Sequence, residues 1–221
     1  MEKKLKALLY EHVARIGKAV SSPKRLEILE LLVQGEKPVE TLAEQTGMDV
    51  RLTSAHLRSL REARLVEPRR EGKYIHYRLS GPDVAQLWVA LRETAEEHLV
   101  ELRVALDRLT RDPERPCSES KDSLLRKARN GEVVVIDVRP ANEYEAGHLP
   151  FARSIPLNEL ENRLAELPTD CPIVAYCRGA FCLMSEEAVN LLQDKGFAAM
   201  KSCNGFTEWS VSGLPIETGT P

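Results

Sequence analysis

Two cysteines, Cys177 and Cys182, enclose a short loop whose residue types could support thiol chemistry. The loop lies in VAYCRGAFCLMSEEAV, where a β-branched run ends at Cys177 and a helical pattern begins about six residues later. A tight loop of this kind turns successive N–H groups inward as an anion-binding nest, and the start of the helix adds its positive dipole end. Both effects stabilise a thiolate, so we expect a lowered pKa for the Cys177 thiol, with Arg178 adding positive charge. The alternative is an ordinary buried strand cysteine.

The loop residues form the candidate catalytic set, and their surroundings indicate what they could handle. The set comprises Cys177, Arg178, Gly179, Ala180, Phe181 and Cys182. A nest of amides would hold the terminal sulfur of a persulfide, or an oxyanion such as a sulfonate. Cys182 is then either the thiol that resolves a Cys177 persulfide into a disulfide, or a residue near the start of the helix without a redox role.

Further residues are expected at the same edge of the domain. Cys203 follows a short strand pattern, and loops after parallel strands gather at one edge of a sheet, so Cys203 could face Cys177. Asp137 and Arg139 follow another buried strand. We expect them to brace this edge by hydrogen bonds and ion pairing, with Glu143 as a further partner.

The elements that must position these residues predict a small α/β domain. Residues 133–138 (VVVIDV) and 172–177 (PIVAYC) are short apolar runs typical of buried parallel strands. Residues 183–196 predict a helix that ends at Gly196, and FAAMKS predicts another strand. About 100 residues with this alternation indicate a three-layer domain with a central parallel sheet.

This half of the chain resembles the rhodanese (sulfurtransferase) homology domain over about residues 120–218. The resemblance is carried by IDVRPANEYEAGHLPFARSIPLNEL, by AYCRGAFC with its following helix, and by NGFTEWSVSGLP. It implies that Cys177 is a nucleophile that takes sulfane sulfur from a donor, holds it as a persulfide and yields it to a thiol acceptor. His148, in AGHLPFA, matches a turn of the family and is expected to be structural. No cofactor is expected.

Two other chemistries are weighed for the same cysteines. Phosphatases related to this fold place an arginine six positions after the cysteine to grip phosphate, and Leu183 stands there, so we expect no phosphatase. Metalloid binding by Cys177, Cys182 and Cys203 is a further alternative.

The N-terminal half carries a different signal, a basic segment next to a helical pattern. Residues 51–78 contain eight basic and three acidic residues, although the whole chain has a net charge of −3. A local basic stripe on an acidic protein fits a nucleic-acid footprint, and a solvated charged face is the alternative. Helices over about 39–46 and 49–63 flank Gly47, and the alternating LVEPRREGKYIHYRL predicts a hairpin with Gly72 at its turn.

These elements predict a winged helix-turn-helix, in which the second helix enters the major groove and the hairpin follows the backbone. Leu52, Leu57 and Leu60 are expected on the core face of that helix. The residues expected to contact DNA occupy exposed positions of the helix and the hairpin: Arg51, Thr53, Ser54, His56, Arg58, Arg69, Arg70, Lys73 and Tyr74. Residues 82–110 predict one long helix with a seam suited to a partner helix, and packing of the seam on its own domain is the alternative.

Residues 10–100 strongly resemble the ArsR-type family of bacterial transcriptional repressors. The matching segments are SSPKRLEILELL, TLAEQTGM, TSAHLRSLREARLVEPRREGKYIHYRL and the long last helix. The resemblance implies a homodimer, formed through the first and last helices, on a two-fold symmetric operator. Many members sense metals through cysteines or histidines on the third or last helix. No cysteine occurs there, and the histidines lack ligand-like spacing, so no metal site is expected.

Composition places the chain among ordinary globular proteins and favours the cytoplasm. It is 43% hydrophobic and 29% charged, without an apolar run long enough to span a membrane or a signal peptide. Five cysteines, an odd number absent from the first 116 residues, argue against a disulfide framework. Cys171 is expected to be structural, and Cys117 to be exposed in a linker.

The sequence therefore predicts two domains, a mainly α winged helix-turn-helix over 1–110 and a rhodanese-like α/β domain over 122–221, joined by the linker 111–121. We expect a cytoplasmic repressor that binds double-stranded operator DNA and couples a Cys177 persulfide to that binding. The alternative is a sulfurtransferase enzyme whose winged helix serves for dimerisation or tethering. In either case a sulfane-sulfur donor and a thiol acceptor are the expected partners.

Overall fold

The computed structural model describes residues 2–109 and 120–220, which form two compact units, Met1–Trp88 and Val89–Pro221. Most of the predicted linker 111–121, including Cys117, lies outside the described residues, so the predicted domain bounds remain predictions. Among the described helices, none is long and apolar enough to cross a membrane.

The first unit combines helices with a small antiparallel sheet. Its elements are α1 (Glu2–Val20), α2 (Pro23–Val33), β1 (Lys37–Pro38), α3 (Val39–Thr46), α4 (Val50–Glu62), β2 (Val66–Glu71) and β3 (Tyr74–Leu79). The strand order is β1-β3-β2, and Glu71 opposite Tyr74 closes the predicted hairpin at Gly72. The winged helix-turn-helix fold is thereby confirmed.

The turn between α3 and α4 follows from two residues. Gly47 ends α3 with φ of 65°, a left-handed conformation that glycine adopts without a steric cost. Asp49 then caps α4 by accepting the N–H of Leu52 at 2.8 Å. The apolar face of α4 is fixed by the fully buried Leu57 and Leu60, which join the core of the unit.

Two details of the helices differ from the prediction. Residues 82–110 do not form one helix, because α5 (Pro82–His98) and α6 (Val100–Leu109) are interrupted at Leu99. The N–H of Leu99 still donates to the carbonyl of Ala95, so the interruption is local. A serine before a first-turn proline favours a helix cap, but the side chain of Ser22, which precedes α2, makes no capping hydrogen bond within the described chain.

The second unit begins at Val89, so the C-terminal part of α5 belongs to it. After α6, its remaining elements are α7 (Lys121–Arg129), β4 (Val134–Asp137), α8 (Ala141–Ala146), β5 (Arg153–Ser154), α9 (Leu157–Leu160), a 3₁₀ helix (Glu161–Glu166), β6 (Ile173–Tyr176), α10 (Met184–Asp194), β7 (Ala199–Lys201) and α11 (Phe206–Ser210).

A central parallel sheet, in the order β5-β4-β6-β7, organises this unit. Side chains of successive strand residues alternate between two apolar cores. Ala175 and Cys177 face the core that contains α10, whereas Val174 and Tyr176 face the core that contains Trp209. The predicted three-layer α/β arrangement is confirmed, and it places Cys177 directly after the central strand β6.

Candidate functional site

Cys177 lies at the end of β6, almost completely enclosed, with 2% of its surface exposed. Its Sγ is 3.1 Å from the hydroxyl of Ser185 in the first turn of α10. It is also 3.3 Å from the carbonyl oxygen of Cys182. The thiol therefore lies in the apolar core that contains α10, with two polar groups beside its sulfur. A donor can reach it only if the loop Cys177–Cys182 opens.

The amides of the loop are arranged differently from the predicted nest. The N–H of Cys182 donates to the carbonyl of Gly179 at 3.0 Å, which closes a tight turn and removes that amide from the site. The N–H of Ser185 faces the sulfur of Cys177, whereas the N–H groups of Arg178 and Met184 face the sulfur of Cys182. The amide donors therefore serve two sulfur atoms, not Cys177 alone.

The two thiols differ in acidity because one stabilises the other. Burial raises the pKa of Cys177, but hydrogen bonds from the Cys182 thiol and from Ser185, with the charge of Lys201, outweigh it and lower the pKa to about 7. The pKa of Cys182 is raised, first by its hydrogen bond to Cys177 and then by burial. The pair therefore ionises at Cys177 while Cys182 remains the proton donor.

Arg178 does not supply the free positive charge that the sequence predicts. Its guanidinium binds the carboxylate of Glu143 with two hydrogen bonds, of 2.9 and 2.6 Å, and Glu143 is completely buried on α8. Two parallel hydrogen bonds between a guanidinium and a carboxylate neutralise the charge of the arginine and fix its side chain. Arg178 thus anchors the loop to α8.

Asp137 and Arg139 brace the end of β4, as the sequence predicts. Both side chains have 0% exposure, and the guanidinium of Arg139 binds the carboxylate of Asp137 through Nε at 3.0 Å and through Nη2. Arg139 also donates to the carbonyl of Gly147 and lies 4.2 Å from the centre of the Phe206 ring. Glu143 pairs with Arg178 instead.

His148 lies in a structural setting. Its ring stacks on that of Tyr144, with the centroids 3.6 Å apart, and its Nδ1 is 2.8 Å from the carbonyl oxygen of Tyr144. These contacts join the turn to α8, and the backbone of His148 also exchanges two hydrogen bonds with that of Glu217.

The loop is held from the other side by the start of α11, which sequence reasoning missed. The N–H groups of Phe206 and Thr207 donate at 2.9 Å to the carbonyls of Cys177 and Arg178. Gly205, just before α11, lies so close that a Cβ there would come 2.5 Å from the nitrogen of Gly179. The only sequence signal was the motif NGFTEW, which the prediction used for resemblance rather than for contacts.

The other cysteines and loop residues occupy separate settings. Cys203 is exposed and held in a disulfide, so the expectation of a free thiol that could face Cys177 is wrong. One disulfide does not amount to the disulfide framework that the composition argues against. Cys171, Cys177 and Cys182 are free thiols. Ala180 is exposed at the tip of the loop, and Phe181 is half-buried.

Most of the helix residues expected to contact DNA are accessible on α4. Arg51, Ser54 and Arg58 are exposed, and His56 is half-buried. The pKa of His56 is lowered by burial and then by the charges of Arg25 and Lys24, so its imidazole is expected to be neutral near pH 7.

Thr53 and Leu52 exchange the places predicted for them. Thr53 has 0% exposure, and its hydroxyl donates to the carbonyl of Asp49 at 2.9 Å, whereas Leu52 is 46% exposed. Thr53 lies four and seven residues before the buried Leu57 and Leu60, so the helical period places it on the same inward face. Thr53 therefore cannot contact DNA in this structure.

The hairpin presents its basic residues to solvent, but they are not equivalent. Arg69 forms ion pairs with Glu36 at 2.7 Å and with Glu71 at 2.8 Å. Arg70 is exposed, and its Nε donates to the carbonyl of Gly72 at 3.2 Å. Lys73 is exposed, with Nζ 5.1 Å from the centre of the exposed Tyr74 ring. The charge of Arg69 is thus the most neutralised of the three.

Comparisons with known proteins match the two halves of the chain to two different families. Residues 22–67 match the family described as "Bacterial regulatory protein, arsR family", and residues 120–212 match "Rhodanese-like domain". The chain is 46% identical over 216 residues to the HTH-type transcriptional regulator Rv0324 of Mycobacterium tuberculosis, covering 98% of this chain and 95% of that protein. It is 29% identical over 99 residues to a sulfurtransferase of Allochromatium vinosum, covering 44% of this chain and 91% of that protein.

Among solved structures, the homodimeric winged helix-turn-helix domain of Mb0332 from Mycobacterium bovis is 48% identical, with a TM-score of 0.41. The match covers 43% of this chain and 89% of that one. The relationship to the M. tuberculosis regulator extends over nearly the whole of both chains and therefore includes both units. The chain belongs to the ArsR family of transcriptional regulators and carries a C-terminal rhodanese-like domain.

Proposed function

We propose that this regulator is a repressor that holds sulfane sulfur on Cys177 and that the loading of Cys177 changes its affinity for operator DNA. The observation that carries the proposal is the thiol of Cys177, whose pKa is lowered by donors from Cys182 and Ser185 at the end of a buried strand. A thiolate is the nucleophile that sulfur transfer requires. The protein acts in the cytoplasm, where its DNA lies.

Loading is a displacement at sulfur. With thiosulfate as donor, the thiolate of Cys177 attacks the outer sulfur, a new S–S bond forms, and sulfite leaves with the electron pair of the bond that breaks. The product is the Cys177 persulfide. A thiol acceptor then takes the terminal sulfur and regenerates the thiolate, so the site returns to its starting state.

Cys182 supplies an internal second step. As a thiolate it attacks Sγ of the Cys177 persulfide, hydrosulfide leaves with the bonding electrons, and a Cys177–Cys182 disulfide forms. The raised pKa of Cys182 keeps it protonated until the charge on Cys177 is consumed, so the pair does not compete for the donor. The carbonyl of Cys182 lies beside Cys177 in the reduced loop, so the disulfide requires the loop to rearrange.

The DNA contacts come from α4 and the hairpin of a homodimer. Arg51, Ser54 and Arg58 reach base edges or phosphates from α4, His56 acts as a neutral hydrogen-bonding group, and the wing residues bind the backbone. The first helix exposes an apolar stripe, with Leu9 59% and Val13 69% exposed, which a second copy would cover. Loading must favour one conformation of this dimer to change affinity.

The test joins intact mass to operator binding. Operator DNA is selected from random duplexes with the full-length protein, and binding is measured before and after thiosulfate or polysulfide. We expect wild type to gain the mass of one sulfur on Cys177, to lose it again as the Cys177–Cys182 disulfide forms, and to change its affinity, whereas Cys177→Ser does none of these. Cys182→Ser should load sulfur but accumulate no internal disulfide. Unchanged wild-type affinity at stoichiometric persulfidation would remove the regulatory proposal.

A sulfurtransferase enzyme is the second candidate, favoured by the similarity to a protein named as a sulfurtransferase. It predicts many turnovers with thiosulfate and a thiol acceptor, abolished in Cys177→Ser, with operator binding unaffected. A regulator instead needs only slow, near-stoichiometric loading, because its response depends on the fraction of Cys177 that carries sulfur. Turnover and gel-shift measurements on the same samples therefore separate the two.

A further inference from the structure

A buried arginine that precedes the rhodanese-like match contacts a residue beside the loop of Cys177. Arg92 lies on the part of α5 that belongs to the second unit, and its side chain is only 5% exposed. Its guanidinium forms an ion pair and hydrogen bond with the carboxylate of Glu208 on α11. Nε of Arg92 also lies 3.2 Å from Glu96. Because a buried guanidinium is costly unless it is paired, these contacts hold both side chains in place.

The carboxylate of Glu208 holds the segment Gly205–Thr207. This segment contacts the loop Cys177–Cys182, here called the catalytic loop. Oε2 of Glu208 accepts the N–H of Gly205 at 2.8 Å, which caps the start of α11. Its Oε1 lies 3.2 Å from the position that a Cβ on Gly179 would occupy, so the carboxylate contacts the loop itself. The backbones of Gly179 and Gly205 are in direct contact, and Gly205 has no room for a side chain.

The same segment binds the backbone of Cys177. The first two amides of α11, from Phe206 and Thr207, donate to the carbonyls of Cys177 and Arg178. Any displacement of Glu208 therefore moves the groups that fix the catalytic loop. Lys121 is the other cation near this carboxylate residue, and it donates to the backbone carbonyl of Glu208 at 2.6 Å rather than to the carboxylate.

We propose that Arg92 is a positioning residue for Cys177, acting through Glu208 and the Gly205–Gly179 contact. The inference rests on the proposed function, since it names a further determinant of the same site. It means that the rhodanese-like site is completed by a residue that precedes the matched segment 120–212. The arginine does not touch the reacting sulfur, so its influence is carried by the loop geometry.

Two substitutions in the full-length chain separate positioning from a direct charge effect. Arg92→Gln removes a positive charge and Glu208→Gln removes a negative one, so a through-space effect would shift the pKa of Cys177 in opposite directions. Positioning predicts the same direction for both, because either variant breaks the pair and loosens the loop. The readout is the pH profile of Cys177 alkylation by iodoacetamide, followed on the Cys177 peptide by mass spectrometry.

We expect both variants to move the alkylation midpoint upward by roughly one pH unit and to slow persulfide loading about fivefold at pH 7, because the thiolate fraction falls by that factor. Arg92→Lys should recover part of the loss, and Arg103→Gln, an exposed arginine on α6, should behave as wild type. Opposite shifts, or wild-type profiles in folded variants, would overturn the inference. If Arg92→Gln does not fold, Arg92→Lys carries the test, because it keeps the charge but loses the fork.

The pH profile of Cys177 alkylation measures the effect of the loop on this thiol, and it requires no sulfur donor. If the wild-type protein alkylates normally but never forms a persulfide, the proposed function fails while the positioning of Cys177 by Arg92 is still measured. The two failures are thus distinguishable.

Discussion

The reactivity of Cys177 depends on the balance between burial and a few hydrogen-bond donors. Removing a thiolate from water raises its pKa, and each donor to the sulfur lowers it. Ser185 contributes twice, through its hydroxyl at 3.1 Å and through its backbone N–H. A hydrogen bond to a charged group contributes about 1.5–3 kcal/mol, so the loss of one donor is measurable.

Ser185→Ala is therefore expected to raise the pKa of Cys177 by roughly one unit. In wild type the thiolate fraction, and with it the alkylation rate, rises as the pH increases through about 7. In the variant this rise moves to higher pH, and the rate at neutral pH falls. The pH profile of Cys177 alkylation measures the shift.

Ser210→Ala is the matched control, because the hydroxyl of Ser210 donates to the carbonyl of Thr207 and not to sulfur. An unchanged profile in Ser185→Ala would mean that the hydroxyl does not stabilise the thiolate.

The wing makes an element-scale prediction, because its basic residues differ in how far acidic neighbours neutralise them. Arg70 and Lys73 are exposed, whereas Arg69 is paired with Glu36 and Glu71. A lysine or arginine that binds a phosphate contributes about −0.9 to the slope of log K against log salt. Arg70→Ala and Lys73→Ala should each weaken operator binding and reduce the magnitude of that slope by about one per subunit.

Arg69→Ala should change the salt slope less, since part of its charge is already compensated. Binding isotherms at several salt concentrations give the slopes. Arg163→Ala serves as the control for net charge, because Arg163 pairs with Glu159 and Glu166 in the second unit. Equal slopes for all the wing variants and wild type would remove the wing from the DNA interface.

At the scale of the whole molecule, the apolar stripe of α1 predicts the oligomeric state. Val13→Glu places a charge in the stripe and should dissociate the dimer at micromolar concentration, lowering operator affinity by more than tenfold because both half-sites are needed. Sedimentation measures the mass. Ala14→Glu adds the same charge about 100° around the helix from Val13, beside the apolar stripe rather than in it, and should remain a dimer. Dimers of Val13→Glu with normal operator binding would contradict an interface on this helix.

The sequence predicts the architecture because the relevant signals are local. Strand and helix periods, Gly47 and the loop after β6 all act over a few residues, and α3 begins and ends where the pattern indicates. The inward face of α4 was assigned wrongly, because Leu52 was placed inside for its apolar type although Thr53 shares the helical spacing of Leu57 and Leu60.

The chemistry of the site was less predictable because it rests on contacts between distant parts of the chain. Arg178 meets Glu143 from 35 positions away, and Arg92 meets Glu208 from 116 positions away. No local pattern encodes such pairs. The direction of the loop amides depends on the turn closed by Gly179, which a count of residues between two cysteines does not specify.

The enclosure of Cys177 has a consequence for which molecules can deliver or remove sulfur. With only 2% of the residue accessible, the closed loop admits no bulky reagent, and each exchange has to wait for a transient opening. Compact inorganic donors need a smaller opening than peptide-sized persulfides and will be favoured kinetically. The same gate shelters a captured sulfur atom from abundant cellular thiols, so the loaded state would outlast the pulse of donor that produced it.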